Sequence, residues 1–390
     1  ELQPKNKNKD PSERIMVRLI SFKFQFSIYP PHSPIFRVSS TFSFALHSCL
    51  IFRQPFKMFF MQKQIRWGIL GLGRIARSFA EGLKHTSNGT LHCVGSRDLN
   101  KAMTFAKEWK VAHSSGSYEE LAERQDIDAV YVATPHSEHA RLATLCMNHG
   151  KAVLCEKPMA VNALQVDSMI RCAKENEVLL MEGMWTRFAP LMVEIRKILR
   201  SGALGEIKTL QADFGFRPQS RDPNSRLFSK TLAGGSMLDI GVYPISLSFM
   251  VFGKPSKIIT DCHLGETGVD EQAAYVFKYP ENQMAVLHSS LQVETAQEAF
   301  ISGTEGTLKI HKQCWRPQKI TVTKKGLEPE VISMPFEGNG FNYEAESFGK
   351  LFLAGEKESP IMPLEESLSI HQVMDEIREK WGMVYPMDEE

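Results

Sequence analysis

Two short stretches of the sequence combine residue types that can hold or move a proton. In "AVLCEKP", Glu156 and Lys157 follow directly after a four-residue apolar run. In "GGSMLDIGVYPI", Asp239 and Tyr243 lie four residues apart, a spacing that a helix would present on one face. Carboxylates, amines and phenols are general acids and bases for a reacting hydroxyl. The two stretches therefore predict acid–base chemistry if the fold brings them together.

A glycine-rich turn between a predicted strand and a predicted helix indicates a dinucleotide site. The apolar strand at residues 65–70, "IRWGIL", leads directly into "GLGRIARSFAEGL". In this GxGxxA motif, Gly71 permits the tight turn and Gly73 lets the backbone approach a pyrophosphate. The N-terminus of the helix then supplies N–H groups to the phosphates. The predicted cofactor-binding residues of this turn are Gly71, Gly73, Arg74 and Ile75.

The end of the second predicted strand, "LHCVGSRD", bears on which dinucleotide is bound. A site specific for NAD usually carries an acid in this region, to hold the ribose 2′-hydroxyl. Here Arg97 occupies the region, and Lys101 follows one helical turn later. The planar guanidinium of an arginine can pair with a 2′-phosphate. We therefore expect NADP, while Asp98 leaves NAD open as the alternative.

Predicted helices and strands alternate along residues 116–158. Helices are predicted at about 118–124 and 138–148, and strands at 129–133 and 152–155. This alternation predicts a parallel, doubly wound α/β sheet, which binds ligands at the carboxyl ends of its strands. The residues that fall at those ends are Thr134, Pro135, His136, Glu156 and Lys157.

The order and spacing of GLGRIA, ATPHSEH and EKP resemble the glucose-fructose oxidoreductase / inositol dehydrogenase family of NAD(P)-dependent oxidoreductases, from about residue 62 onward. The resemblance implies an α/β Rossmann domain over residues 61–185. It implies an α+β domain with a large, open, mostly antiparallel sheet over residues 186–390. This second domain would bind the substrate and form a homodimer, with the cofactor in the cleft between the domains. Short β-rich runs such as "IKTLQADFGF" and "GTLKIH" are compatible with such a sheet.

The resemblance places Lys157 and Tyr243 beside the substrate, with Asp239 nearby to orient Lys157. An ammonium next to a phenol should lower the pKa of the phenol, so Tyr243 would act as the general base. Lys157 is the alternative base. The predicted substrate-contacting residues are His136, Trp185 and Phe216.

The EKP element also has an implied geometry. In the resembling family the peptide bond before the proline is often cis, and at Pro158 it would turn Lys157 toward the cleft. Glu156 would then either contact the nicotinamide ribose or balance the charge of Lys157.

The resemblance implies NADP-dependent oxidation of a secondary alcohol. The substrate would be a cyclic trans-diol such as trans-dihydrobenzenediol, giving catechol, or D-xylose, giving its lactone by oxidation at C1. The alternative is a catalytically silent NADP(H)-binding sensor or scaffold. The presence of Lys157, Asp239 and Tyr243 argues against that alternative.

Charge and cysteine content argue against several other classes of protein. The sequence has 46 Lys and Arg against 45 Asp and Glu, a net charge of +1, so no global field attracts nucleic acid or an anionic membrane. Its 7 cysteines include no CxxC pair, which predicts neither a disulfide framework nor a metal site. No window approaches the roughly 18 apolar residues of a membrane-spanning helix. We expect a cytoplasmic enzyme for a small-molecule diol or sugar.

The first sixty residues differ from the rest of the sequence. No acidic residue occurs from Arg14 to Phe60, where Phe, Ser and Pro recur without a helical or strand period. Residues 1–60 are predicted to be a disordered or spuriously included extension. A targeting segment is the alternative, because transit sequences are basic and poor in acids.

Overall fold

The computed structural model describes residues 64–389, which form two β-sheets flanked by helices. The predicted N-terminal extension, residues 1–60, lies outside the described residues. The strands of the first sheet are β1 (Ile65–Leu70), β2 (Gly89–Gly95), β3 (His113–Ser115), β4 (Ala129–Val132), β5 (Ala152–Glu156) and β6 (Leu180–Gly183). The helices that connect them are α1 (Arg74–Leu83), α2 (Leu99–Trp109), α3 (Tyr118–Glu123), α4 (His139–Asn148) and α5 (Ala163–Glu175).

The first sheet is parallel throughout and has the strand order β3-β2-β1-β4-β5-β6. This is the Rossmann order, and it confirms the predicted doubly wound sheet. All four residues of β4 are buried, because helices cover both faces of a parallel sheet. The strand order reverses between β1 and β4, and the carboxyl ends of β1, β4 and β5 lie side by side at one edge. That edge is where such sheets bind ligands.

The second sheet begins after helix α6 (Pro190–Arg200) and has eight strands in the order β14-β13-β12-β11-β7-β10-β9-β8. Only β7 and β10 pair in parallel; the other neighbouring strands are antiparallel. The predicted mostly antiparallel sheet is thereby confirmed. Its strands are β7 (Ile207–Gly215), β8 (Lys257–Leu264), β9 (Asp270–Lys278), β10 (Met284–Ser290), β11 (Ala299–Gly303), β12 (Gly306–Ile310), β13 (Lys319–Lys324) and β14 (Glu330–Ser333).

Two C-terminal helices return to the Rossmann sheet. Helix α7 (Val242–Phe252) lies against the second sheet, whereas α8 (Phe341–Ala354) packs on α1 and α9 (Leu364–Trp381) packs on α5. The ring of Phe348 on α8 lies 4.8 Å from that of Trp67 on β1, and both side chains are fully buried. This aromatic packing joins the middle of α8 to the first sheet. The elements that border the ligand-binding edge are therefore held by one continuous core.

Among the described residues, one stretch, Lys230–Phe252, is long and apolar enough to cross a membrane. However, 78% of its most apolar window is buried inside the protein. A core helix of a water-soluble fold passes the same test of length and composition, so the stretch is weak support for a membrane span.

Candidate active site

All of the predicted site residues line a single cleft of 1080 Å³ at the carboxyl edge of the Rossmann sheet. The cleft reaches from the glycine-rich turn to the first turn of α7. The predicted residues in its walls are Gly71, Gly73, Arg74, Ile75, Arg97, Lys101, Thr134, Pro135, His136, Glu156, Lys157, Trp185, Phe216, Asp239 and Tyr243.

The glycine-rich turn has the shape that a dinucleotide requires. Gly71 has φ +87°, and a Cβ atom there would lie 2.7 Å from the backbone of Ala133, so only glycine fits. At Gly73 a Cβ would meet nothing within 4 Å, which leaves open space for a ligand. No side chain caps the N-terminus of α1, so its first N–H groups are available to a pyrophosphate. These features fit the predicted nucleotide.

The cations beside β2 have no partners in the described part of the chain. Arg97 and Lys101 are exposed in the cleft wall, and neither side chain makes an ion pair or hydrogen bond within residues 64–389. The Asp98 carboxylate instead caps α2, accepting from the N–H groups of Asn100 at 2.9 Å and Lys101 at 3.2 Å. Asp98, the acid that could have favoured NAD, is therefore hydrogen-bonded to the backbone. The side chains of Arg97 and Lys101 are available to bind an anion.

Lys157, Asp239 and Arg226 form a charged cluster at the centre of the cleft. Lys157 Nζ donates to the backbone carbonyl of Asp239 at 2.5 Å and lies 3.7 Å from Asp239 Oδ1. Arg226 Nη1 donates to the same Oδ1 at 2.6 Å. Burial opposes ionisation of Asp239, but the two cations hold the pKa of its carboxyl well below its usual range. Sequence reasoning missed Arg226, which lies in the polar loop before the "GGSMLD" stretch.

The pKa of Lys157 is lowered from its ordinary value of 10.5. Burial is the largest cause, and the nearby charge of Arg226 acts in the same direction. Asp239 and Glu156 oppose the shift by attracting the ammonium. At a given pH, a larger fraction of Lys157 is therefore in the neutral amine form than of an exposed lysine.

The expected downward shift of the Tyr243 pKa was wrong. Burial and the charge of Glu156 raise the pKa of this phenol well above 10. The reason is geometric: Lys157 Nζ lies 4.8 Å from the centroid of the Tyr243 ring, over its face, rather than at the hydroxyl. The hydroxyl oxygen accepts a hydrogen bond from the indole Nε1 of Trp185 at 3.0 Å. Tyr243 is thus a neutral phenol whose oxygen is already a hydrogen-bond acceptor.

Glu156 is buried behind Lys157. The Tyr131 hydroxyl donates to its Oε1, and the backbone N–H of Lys157 donates to Oε2 at 3.1 Å. Burial raises the pKa of Glu156 to about 6, although the Lys157 charge and the Tyr131 hydrogen bond act against the rise. The peptide bond between Lys157 and Pro158 is cis, as the resemblance implied.

The two histidines of "ATPHSEH" are buried and neutral. Burial lowers the pKa of His136 to about 3 and that of His139 to about 4. His136 lines the cleft, and its Nδ1 lies 3.0 Å from the Ala233 carbonyl oxygen. Both ring nitrogens of His139 face carbonyl oxygens, of Thr134 and Pro158, so the neutral ring donates to one of them only. Neither histidine can serve as a charged acid at neutral pH.

Aromatic rings form the remaining walls of the cleft. Trp185 stacks on Phe341 at a centroid distance of 4.9 Å, and Phe214 stacks on Trp315 at 3.5 Å. The ring centroid of Phe216 lies 6.3 Å from that of Phe214. Phe214, Trp315 and Phe341 were not predicted from the sequence, although all three line the cleft. Such walls suit the apolar face of a ring-shaped ligand.

The turn that carries Asp239 is a π-helix, Met237–Gly241, which continues into α7 with Tyr243 in its first turn. Its start is fixed by Asp270, whose Oδ2 accepts from the Ser236 hydroxyl and from the Met237 N–H, each at 2.7 Å. π-helical turns are frequent at functional sites. Asp270 therefore helps to position Asp239.

Asp270 predicts a pH dependence of stability. Burial raises the pKa of Asp270 to about 7, so the folded protein keeps a proton that the unfolded chain loses near pH 4. The contribution of Asp270 to the free energy of unfolding is fully present below about pH 4 and is lost as the pH rises toward 7. Wild type should lose this stability as the pH rises, whereas Asp270→Asn should not. The free energy of unfolding of Asp270→Asn minus that of wild type, measured by urea unfolding, should therefore increase by roughly 2–3 kcal/mol from about pH 5 to about pH 8. The exposed Asp261→Asn is the control, and parallel pH profiles for wild type and Asp270→Asn would contradict the assignment.

Among residues 64–389, one group of potential metal ligands lies outside the cleft. The ligand atoms of His92, His113 and Asp126 all lie within 4.8 Å of one another. Arg124 donates to both oxygens of the Asp126 carboxylate, at 2.9 and 2.6 Å. The carboxylate is thus already paired with a cation, and the cluster takes no part in the cleft.

Comparison with known proteins agrees with this fold. A family model described as an oxidoreductase family with an NAD-binding Rossmann fold matches residues 65–184. The model of the GFO/IDH/MocA C-terminal domain matches residues 192–309. The chain belongs to the GFO/IDH/MocA family of oxidoreductases and has an NAD(P)-binding Rossmann domain. The resemblance predicted from its motifs is confirmed.

Several similar curated proteins carry the name trans-1,2-dihydrobenzene-1,2-diol dehydrogenase. The protein of that name from Danio rerio is 39% identical over 336 residues, 83% of this chain and 99% of its own length. The one from Homo sapiens is 35% identical over 333 residues, with the same shares.

Two solved structures illustrate the shared fold. The aldose-aldose oxidoreductase from Caulobacter crescentus, complexed with glycerol, is 25% identical, with a TM-score of 0.75 over 81% of this chain and 97% of that chain. A 3-ketoreductase from Actinomadura kijaniata, in complex with TDP-benzene and NADP, is 25% identical, with a TM-score of 0.71 and the same shares.

Proposed function

We propose that this protein is an NADP-dependent dehydrogenase that oxidises a secondary alcohol of a cyclic trans-diol or the C1 hydroxyl of a pyranose such as D-xylose. The observation that carries the proposal is the meeting of Lys157, Asp239 and Tyr243 in one aromatic-walled cleft beside an open dinucleotide turn. The relatives' name, a dehydrogenase of a cyclic diol, and the sugar chemistry in the name of the Caulobacter structure support this substrate class.

The turn from Gly71 to Ile75, together with Arg97 and Lys101, would hold NADP at its phosphates, and the bound cofactor would supply the hydride acceptor. Lys157 accepts the proton of the substrate hydroxyl, because burial makes its neutral amine accessible. Asp239 holds Lys157 in place through its backbone carbonyl and carboxylate. Tyr243 was the expected general base and Lys157 the alternative. This proposal makes Lys157 the base, because the raised pKa of Tyr243 makes it a poor one.

Tyr243 orients the substrate in this proposal. Its oxygen accepts from Trp185, so its own proton is directed away from that bond. Within residues 64–389 no acceptor receives this proton. The hydroxyl can therefore donate to the substrate oxygen and stabilise negative charge that develops there. Thr134 and Pro135 border the space between the turn and Lys157, while His136, Trp185 and Phe216 border the substrate.

Arg97→Ala should change the cofactor preference. Loss of a guanidinium that pairs with the 2′-phosphate should weaken NADP binding by about 10- to 100-fold and NAD binding by no more than about twofold. The measurement is the Kd of each cofactor, by fluorescence titration. Arg171→Ala on the exposed face of α5 is the matched control. Equal losses for the two cofactors would remove Arg97 from 2′-phosphate recognition.

A substrate panel tests the proposed function. The full-length protein is incubated with NADP and, separately, trans-dihydrobenzenediol, D-xylose, D-glucose and an acyclic secondary alcohol, and NADPH absorbance is followed. We expect turnover of at least one cyclic substrate and none of the acyclic alcohol. Tight NADP binding without turnover of any panel member would favour a cofactor sensor instead.

The protein is also proposed to act as a homodimer in the cytoplasm. Three exposed apolar side chains lie in one row across the second sheet, where the successive cross-strand partners are Ile259, Val276, Val286, Gln211 and Phe300. Ile259, Val286 and Phe300 are 47%, 46% and 38% exposed. A second copy of the chain would cover this row, as large exposed apolar patches mark interfaces.

The boundary between the cofactor-binding and substrate-binding domains, near residue 185, stays a prediction.

A further inference from the structure

The substrate half of the cleft contains an arginine that the proposed chemistry does not use. Arg316 lies in the loop between β12 and β13, and its side chain lines the cleft. Its guanidinium lies 5.7 Å from the centroid of the Phe336 ring. Within residues 64–389 no oxygen accepts a hydrogen bond from this side chain, and its Nε is buried without a partner. A planar cation with unused donors faces the ligand space.

The other charges of this half are paired with one another. Lys157 and Arg226 share Oδ1 of Asp239, and the charge of Lys157 also faces Glu156. Among the described residues Arg316 makes no ion pair with any carboxylate of the cleft. Its positive charge is therefore unpaired, and its buried Nε–H without an acceptor is unfavourable unless a ligand supplies one.

Two aromatic rings, those of Phe336 and Trp185, connect Arg316 to the proposed chemistry. The ring of Phe336 beneath it makes an edge contact with Trp185, with 6.4 Å between centroids, and Trp185 donates to the Tyr243 hydroxyl. A six-membered ring whose hydroxyl meets Lys157 and Tyr243 would lie along Trp185. A substituent on the far side of that ring would point toward Arg316.

We propose that Arg316 binds an anionic substituent of the substrate, so that the preferred substrate is an acidic pyranose or cyclic diol, such as a uronate. A guanidinium pairs with a carboxylate through two parallel hydrogen bonds, which gives both affinity and orientation. This inference rests on the proposed dehydrogenase function and narrows its substrate class. The alternative anion is the cofactor pyrophosphate, because Arg316 and the glycine-rich turn line the same cleft.

The test compares D-glucuronate with D-glucose, two pyranoses that differ in having a carboxylate or a hydroxymethyl group. In the full-length protein with NADP, kcat/KM should be at least about tenfold higher for glucuronate. Arg316→Met should abolish this preference while changing kcat/KM for glucose and D-xylose by less than about threefold. Arg316→Lys should retain part of the preference, because the charge remains. Lys312→Met, an exposed cation of the same loop, is the control and should retain all of it.

Two binding measurements show whether Arg316 binds a carboxylate of the substrate or the pyrophosphate of the cofactor. Calorimetric titration of D-glucuronate into the NADP-loaded protein should give weaker binding in Arg316→Met, whereas the Kd values of NADP and NAD should not change. Equal weakening of both cofactors, with the glucuronate preference intact, would place Arg316 on the pyrophosphate and overturn the proposal. Oxidation of D-xylose or the diol without any preference for glucuronate would overturn it too, and would leave the dehydrogenase function standing. Absence of oxidation of every substrate would reject both.

Discussion

Lys157→Met is expected to lower kcat by roughly three to four orders of magnitude while the Kd of NADP changes by less than about threefold. Lys157 is the group in the cleft whose neutral form burial makes accessible, and it is held toward the substrate space by Asp239. Methionine keeps the length of the side chain but can neither accept a proton nor donate a hydrogen bond. Steady-state NADPH formation and a fluorescence titration of NADP measure the two quantities.

The pH profile adds a signature that a purely structural role would not give. The lowered pKa of Lys157 predicts that kcat/KM rises with pH as the ammonium loses its proton. This rising limb should be absent in the residual activity of Lys157→Met. The control is Lys174→Met on the exposed face of α5, which should match wild type throughout. Near-normal turnover of Lys157→Met would remove Lys157 from the mechanism.

Tyr243→Phe is expected to lower kcat by about 10²- to 10³-fold, the usual cost of removing one donor that stabilises developing charge. The ring and its contact with Lys157 remain, so the loss isolates the hydroxyl. Trp185 loses its hydrogen-bond acceptor at the same time, and intrinsic tryptophan fluorescence should report that change. The measurement is kcat across the pH range with the best substrate of the panel.

This variant also separates the two candidate bases. If Lys157 accepts the proton, Tyr243→Phe keeps the rising limb of the pH profile at a lower plateau. Disappearance of the limb in Tyr243→Phe would return the role of base to Tyr243. The control is Tyr343→Phe, since that hydroxyl accepts only from the Glu337 N–H outside the cleft.

Local patterns were sufficient to predict four strands of the Rossmann sheet, β1, β2, β4 and β5, but not the shorter β3 and β6 at its edges. The strand at residues 65–70 has the predicted bounds, because a buried apolar run followed directly by GxGxxA leaves little choice of conformation. The residues at strand ends met in one cleft because parallel strands direct their carboxyl ends to the same edge. The later strands β13 and β14 were not predicted, since β14 is short and mostly exposed and lacks a strong apolar period.

The residues that complete the cleft could not be found from local patterns. Phe341 reaches it only because α8 returns to pack on α1. Arg226 and Arg316 come from loops whose positions depend on tertiary packing. The pKa of Tyr243 likewise depends on whether Lys157 faces its hydroxyl or its ring, which sequence separation does not determine. Spacing identified the chemical groups, and tertiary packing decided their roles.

The central claim is that this cleft removes hydrogen from a ring carbon of the substrate and passes it to NADP. The most direct test incubates the full-length protein with NADP and D-xylose deuterated at C1, or the correspondingly deuterated trans-diol, and measures the mass of the reduced cofactor. We predict that the reduced cofactor carries one deuterium with wild type, and that Lys157→Met forms labelled cofactor roughly three to four orders of magnitude more slowly under the same conditions. Reduced cofactor without deuterium, or no reduction by wild type with either substrate, would contradict the account.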